Sequence, residues 1–257
     1  MSRQNILEAK KLLQKKYREQ LRKFIIEGRK MIEEAVAAGV PIESIFYDEA
    51  KITDLAVLEK LSRSAERMIP VKEKDIQQIS DTVTSQGIAA VLPFLQNESD
   101  IDKIFLKKNF VFVALEEIND PGNLGTIIRT CDWFGVDGLV IGTNSVDLYN
   151  PKVIRGTMGS LFHLPILTDI DLKIFLKACR SEGLTIYSSE LSKSEDVQKI
   201  SFAGKSLLLI GNESHGISSE LSRQADKKIM IPRFGKAESL NAAMACGILL
   251  SQMKLKK

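Results

Sequence analysis

The sequence predicts an α/β fold arranged in two blocks. Three observations carry that expectation. Short apolar runs of strand length alternate with helical stripes along the 257 residues. One polar, charged stretch, QNESDIDKIFLKKN, interrupts the alternation. After that break, three apolar runs each end in a segment rich in Gly, Asn and Ser, the carboxyl-end position where open α/β sheets bind ligands.

In the first block, FIIEGRKMIEEAVAAGV places Ile25, Ile26, Met31, Ile32, Ala35 and Val36 on a helical stripe, stopped by Gly39 and Pro41. SIFYDE reads as a strand, LAVLEKLSRSA as a helix, MIPVK as a strand, EKDIQQIS as a short helix and QGIAAVLPF as a closing strand. This mixture implies a mostly parallel or mixed sheet covered by helices. In the second block, NFVFVALEE, GLVIG, LTIYSSE, KSLLLIG and KIMIP read as strands. NLGTIIRTCDWFGV, DLKIFLKACRSEG and SLNAAMACGILLSQMKL read as helices. The expected division is a domain over 1–95, a linker over 96–108 and a domain over 109–257.

Composition bounds the function class. Hydrophobic residues are 44% of the chain, enough for a sizeable core, and formal net charge is only +3. Charge is unevenly spread: the first thirty residues hold ten Lys and Arg against three acids. KKLLQKKYREQLRK is either a solvated helix face or an arm that meets phosphates. Cys131, Cys179 and Cys246 lie far apart in apolar segments, without a CxxC pair, which argues against a disulfide framework and for a reduced, cytoplasmic setting. No secretory signal and no eighteen-residue apolar run is seen, so no membrane role is expected. His163 and His215 are too few for a zinc site without help, and no metal is expected.

The chemistry is expected in the three strand-end segments. NDPGNLGTIIRT offers glycines and a helix N-terminus to a ligand, with Asn123 at that terminus. Arg129, six residues on and nearly two turns along, is expected on the same side. GNESHGIS follows LLLI and sets Glu213 beyond a second strand; locally Glu213 is equally a helix cap or a surface acid. RFGKAE follows KIMIP, and Ser239 and Asn241 open the last helix. Ser239 reads locally as its N-cap, whereas Asn241 is expected two residues inside. Neither glycine loop fits a nucleotide fingerprint. The first has G-x-x-G rather than G-x-G-x-x-G, and the second has Ile217 where a phosphate loop needs lysine.

Taken together, Asn123-Leu-Gly125 with Arg129, Gly211-Asn-Glu213 with Gly216, and Ile231-Pro232 with Ser239-Leu-Asn241 resemble the three signature motifs of the SpoU/TrmH family, RNA ribose 2′-O-methyltransferases of the SPOUT superfamily. VIRGTMGSLFHLPI resembles that family's stretch between the first two motifs. The resemblance implies S-adenosylmethionine (SAM) as methyl donor and a C-terminal trefoil knot. It also implies a smaller N-terminal α/β domain built like a kink-turn-binding ribosomal protein, and a homodimer through the C-terminal domain. It assigns Gly211, Ile231 and Leu240 to the cofactor, and Asn123, Arg129, Glu213, Ser239 and Asn241 to the catalytic set, with Glu213 orienting Arg129. The RNA implied is ribosomal, of the large subunit, before transfer RNA; the alternative is an RNA-binding assembly protein without catalysis. His215 is expected to face solvent, and Trp133 and Phe134 to pack in a core rather than stack on bases.

Overall fold

A computed structural model describes residues 2–96 and 98–255. The chain divides into two compact units: residues 1–96 with 147–163, and residues 97–146 with 164–257.

The first unit opens with α1 (Ser2–Lys11) and α2 (Lys15–Leu21), followed by β1 (Lys23–Glu27), α3 (Arg29–Ala37), β2 (Ile42–Asp48), α4 (Leu55–Ser62), β3 (Ala65–Val71), α5 (Glu73–Ile79) and β4 (Ile88–Pro93). The sheet order is β1-β4-β2-β3. β4 runs antiparallel to β1 and β2, and β2 runs parallel to β3, so the sheet is mixed, as expected. One expectation fails here: Ile25 and Ile26 belong to a strand, not to the helical stripe. Gly28, at φ +89°, breaks the run and lets α3 start at Arg29. Three consecutive buried residues, Phe24, Ile25 and Ile26, mark a strand covered on both faces, a pattern that mimics a buried helix.

The basic N-terminal segment is neither a loose arm nor merely a solvated face. Ile6 and Ala9 of α1, and Leu12 just after it, are buried in one core with Ile25, Phe46, Ile69 and Ile76. Their spacing of three puts them on one helical face. Lys10, Lys11, Lys15 and Lys16 remain outside. Arg18 is 3% exposed; it donates through Nη1 to the Leu12 carbonyl (2.8 Å) and through Nε to Asp147 Oδ2 (3.1 Å). Asp147 begins the 147–163 segment, which contains α8 (Pro151–Thr157) packed on β1. Tyr149 of the same segment stacks on Phe94 at 3.9 Å, and its hydroxyl oxygen accepts from Leu95 N.

In the second unit, α6 (Glu98–Phe105) leads into β5 (Phe110–Leu115), α7 (Pro121–Trp133), β6 (Gly138–Gly142), β7 (Ile166–Ile170), α9 (Leu172–Ser181), β8 (Thr185–Ser189), β9 (Glu195–Asp196), β10 (Lys205–Ile210), α10 (Ser219–Ser222), β11 (Lys227–Met230) and α11 (Ala242–Leu255). Within the expected linker 96–108, residue 97 lies outside the described residues, and α6 is no spacer: Ile101 and Ile104 are buried with Phe110, Phe112 and Leu176. The polar residues between them masked that amphipathic turn. The seven-stranded sheet has the order β7-β6-β5-β10-β8-β11-β9, with parallel pairing throughout. β5, β6 and β10 are buried nearly end to end, as parallel strands with helices on both faces must be. Burial pushes the Cys131 thiol well up and the Cys179 thiol to about 12, which leaves both inert near neutral pH. Among the described residues no helix is long and apolar enough to cross a membrane.

The buried Arg18–Asp147 pair gives a stability prediction. Arg18→Met leaves a nearly buried carboxylate alone and should cost roughly 3–5 kcal/mol in guanidinium unfolding. Adding Asp147→Asn, which keeps an acceptor for Tyr149 N, should recover most of that loss; no recovery would show that the pair is not the cause.

Candidate active site

The site forms where the strand order of the second unit reverses. β5 continues through β6 to β7 on one side, whereas β10 and β8 lie on the other. At such a switch point the two strand-end loops diverge and leave a crevice. The loops here are 116–120, after β5, and 211–218, after β10.

α7 begins with Pro121 at its first position and Asp120 as its cap, whose Oδ1 accepts from Asn123 N at 2.8 Å. Asn123 is thereby fixed in the first turn. The 211–218 loop folds back as a small hairpin in which Asn212 and Gly216 exchange backbone hydrogen bonds of 3.1 and 3.0 Å. Gly211 is required by that fold: a Cβ there would stand 2.3 Å from the Gly216 carbonyl carbon. Asn212 is buried, donates to the Glu117 carbonyl (2.7 Å) and accepts from Ser214 N (2.7 Å). Ser218 N donates to Glu116 Oε2 at 2.8 Å. These bonds pin the loop to the end of β5.

Three chain segments then meet. Asn123 Nδ2 donates to Glu213 Oε1 (2.7 Å), and Asn241 Nδ2 donates to Asn123 Oδ1 (2.8 Å). Side chains 90 and 118 positions apart are thus tied in one line. Asn241 is also the cap of α11: its Oδ1 accepts from Ala243 N (2.9 Å) and Met244 N (3.3 Å). The cap position expected for Ser239 therefore belongs to Asn241, because α11 starts at Ala242, and Ser239 stands exposed in the preceding loop. Gly211 follows β10, Ile231 follows β11, and Leu240, half exposed, precedes the cap. Between 231 and 240 no backbone–backbone hydrogen bond forms among the described residues; the Ala237 carbonyl accepts from Arg233 Nη1 instead.

Arg129 stands apart from this line. It is exposed and makes no hydrogen bond or ion pair with the described residues. The helical geometry explains the failed expectation: six residues turn a helix through about 600°, leaving the two side chains about 120° apart. Glu213 accordingly holds Asn123 rather than Arg129. Arg129 instead lines an open groove of about 640 Å³ between α7 and α11, beside Trp133, Phe134, Met244 and Ile248. Trp133 is 84% exposed, which overturns its assignment to a core; Phe134 is half-buried. His215 is exposed as expected, with Nε2 3.4 Å from Glu117 Oε2.

The sheet order adds a strand end that the sequence did not single out. β8 lies between β10 and β11, so its carboxyl end falls between the Gly211 and Ile231 loops. There Glu190 Oε1 accepts from Ser188 Oγ (2.8 Å) and Ser222 Oγ (2.7 Å), and Lys228 Nζ lies 3.3 Å from its other oxygen. Only strand order marks this cluster, since β8 carries no glycine signal.

With this geometry in view, comparison with known proteins is decisive. The model of the SpoU rRNA Methylase family matches residues 110–251. The chain belongs to that family. The MRM3-like substrate binding domain matches residues 3–90. The 23S rRNA (guanosine(2553)-2′-O)-methyltransferase RlmP of Bacillus subtilis is 31% identical over 98% of this chain and 96% of its own length. Two solved SpoU-type structures superpose closely. One is the SpoU methyltransferase AviRb of Streptomyces viridochromogenes in complex with AdoMet, at 27% identity and a TM-score of 0.88 over 98% of this chain and 97% of that one. The other is the AdoMet-bound rRNA methyltransferase of Sinorhizobium meliloti, at 31% identity and 0.87 over 97% and 94%.

Asn241 has two separable roles, cap and tie. Asn241→Ser keeps a capping oxygen but is too short to reach Asn123. Stability should stay within about 0.5 kcal/mol of wild type by thermal unfolding. Loss of methyl-transfer activity in that folded variant would show that the tie matters; full activity would show that the cap alone does.

Proposed function

We propose that the protein transfers a methyl group from SAM to a ribose 2′-hydroxyl of RNA, with large-subunit rRNA as the substrate. The observation that carries this reading is the Asn241–Asn123–Glu213 line at the sheet's switch point, in a chain whose family is that of SpoU rRNA methylases. The full-length similarity to an rRNA methyltransferase, and a matching substrate binding domain in front, favour rRNA over tRNA. Retention of all five catalytic positions disfavours a protein that only binds RNA. We place its work in the cytoplasm.

The residues present fit SAM. The backbone at Ile231 and Leu240, which makes no backbone–backbone hydrogen bond among the described residues, together with that at Gly211, offers donors and acceptors to an adenosine. In this reading Gly211, Ile231 and Leu240 hold the cofactor. SAM supplies the electrophilic methyl group. The chain's own residues fix the geometry: Asn123 and Asn241 set the two walls of the crevice, Glu213 locks Asn123, and Ser239 steadies the loop in front of α11. Holding two reactants in attack geometry supplies about 7–11 kcal/mol in favourable systems. Arg129 is assigned to polarising the 2′-hydroxyl and gripping the neighbouring phosphate. A guanidinium is a donor fork and not an acceptor, so proton removal by Arg129 itself is disfavoured.

We read the crossing of β11 and α11 as the trefoil knot. The support is that β11 inserts between β8 and β9, both earlier in the chain, and the chain then leaves through 231–241 to pack α11 on α7. The first unit, a mixed sheet with α1 and α5 against it, supports the likeness to kink-turn-binding ribosomal proteins. The lysines outside α1 and α2 supply its salt-sensitive contact with phosphates. The apolar part of the α7–α11 groove, with Trp133, Met244 and Ile248, is assigned to a second copy of the chain, and Arg129 at its side is left to the substrate. Trp133 and Met244 are 84% and 61% exposed there, an apolar surface typical of an interface core.

Two experiments test these assignments. SAM should bind by calorimetry, and labelled methyl should pass to unmodified rRNA. Arg129→Lys should lower the turnover rate roughly 10²-fold with unchanged SAM affinity; a wild-type rate would remove the fork from the mechanism. For the dimer, sedimentation should give twice the chain mass for the wild type and the monomer mass for Trp133→Lys. A wild-type monomer would reject the interface.

A further inference from the structure

Phe234 is 95% exposed, in the segment that joins β11 to α11. It is not among the residues that line the α7–α11 groove, so the second copy assigned to that groove does not account for it. Its neighbours are cations. Arg233 Nη1 donates to the Ala237 carbonyl (3.3 Å), which ties the turn to itself and leaves the rest of the guanidinium fork open. Lys236 is exposed and has no partner among the described residues. Glu238 is the anion of this turn, so residues 233–238 carry two positive charges and one negative. Gly235 meets nothing within 4 Å of where a Cβ would stand, so the turn has open space around it. Both ends of the segment are fixed in the site: Ile231 follows β11, and Asn241 is tied to Asn123.

A solvated aromatic ring between two exposed cations matches the chemistry of a single-stranded nucleic acid. Every base offers a π-face to a ring, and the backbone offers phosphates to Lys and Arg. A protein partner would call for an apolar rim, whereas the ring's neighbours along the turn are Arg233, Gly235 and Lys236. We propose that Phe234 stacks on an unpaired base of the substrate RNA, with Arg233 and Lys236 against the adjoining phosphates. The turn is then a positioning device that delivers a splayed-out nucleotide to the crevice. This rests on the reading of the site as an RNA methyltransferase.

The test uses the full chain with unmodified large-subunit rRNA transcribed in vitro and methyl-labelled SAM. Phe234→Ala should raise the KM for RNA about tenfold or more, with SAM affinity and sedimentation unchanged. Phe234→Trp should restore the wild-type KM, and Phe234→Leu should not. Lys236→Gln should flatten the slope of log KM against log salt by about 0.7. An unchanged KM in Phe234→Ala, or equal rescue by Leu and Trp, would reject stacking. A shift in sedimentation would assign the ring to an interface between copies instead. A wild-type chain that neither binds SAM nor transfers methyl would overturn the underlying reading, whereas a competent wild type with an indifferent Phe234 would overturn this proposal alone.

Discussion

Everything at the crevice depends on two amide hydrogen bonds made by Asn123. Its side chain donates to Glu213 and accepts from Asn241, so one residue in the first turn of α7 fixes both the β10 loop and the start of α11. Asn suits the position because its amide carries a donor and an acceptor at one place. An Asp would offer two acceptors and face the Glu213 carboxylate. The backbone conditions are equally strict. The β10 loop can turn back within five residues only because Gly211 has no Cβ to meet Gly216. These constraints keep three strand-end segments in register.

The first unit depends on a different constraint. The segment 147–163 leaves the second unit after β6 and is built into the first through Arg18–Asp147, Tyr149 on Phe94 and α8 on β1. A charge as buried as Arg18 persists only with a carboxylate and a carbonyl to satisfy it, and both come from fixed positions. The N-terminal helices are consequently part of a core, with their lysines as its outer surface.

The division between Asn123 and Arg129 bears on chemistry. The asparagine line is held by hydrogen bonds and partly shielded, whereas Arg129 is exposed and makes no hydrogen bond or ion pair with the described residues. In the proposed reading, fixed walls and one unpaired cation suit a large anionic substrate better than a small metabolite. The exposed ring of Phe234 on the neighbouring turn extends the same logic.

The sequence by itself determined the α/β class, most of the strands (β1, β7 and β9 went unread), the longer helices and the residue types at three strand ends, because periodicity and turn chemistry are local. It misread Ile25–Ile26 and α6, where strands buried on both faces and short amphipathic turns imitate other patterns. Tertiary structure alone decided which residues meet. Strand order places β10 beside β5 and β8 between β10 and β11, and no local signal encodes that. It likewise made Asn241 a cap and a tie at once, turned Arg129 and Trp133 outward, and moved residues 147–163 into the first unit. The physical reason is that hydrogen-bond partners over a hundred positions apart are chosen by how the sheet stacks its strands, which is a property of the whole chain.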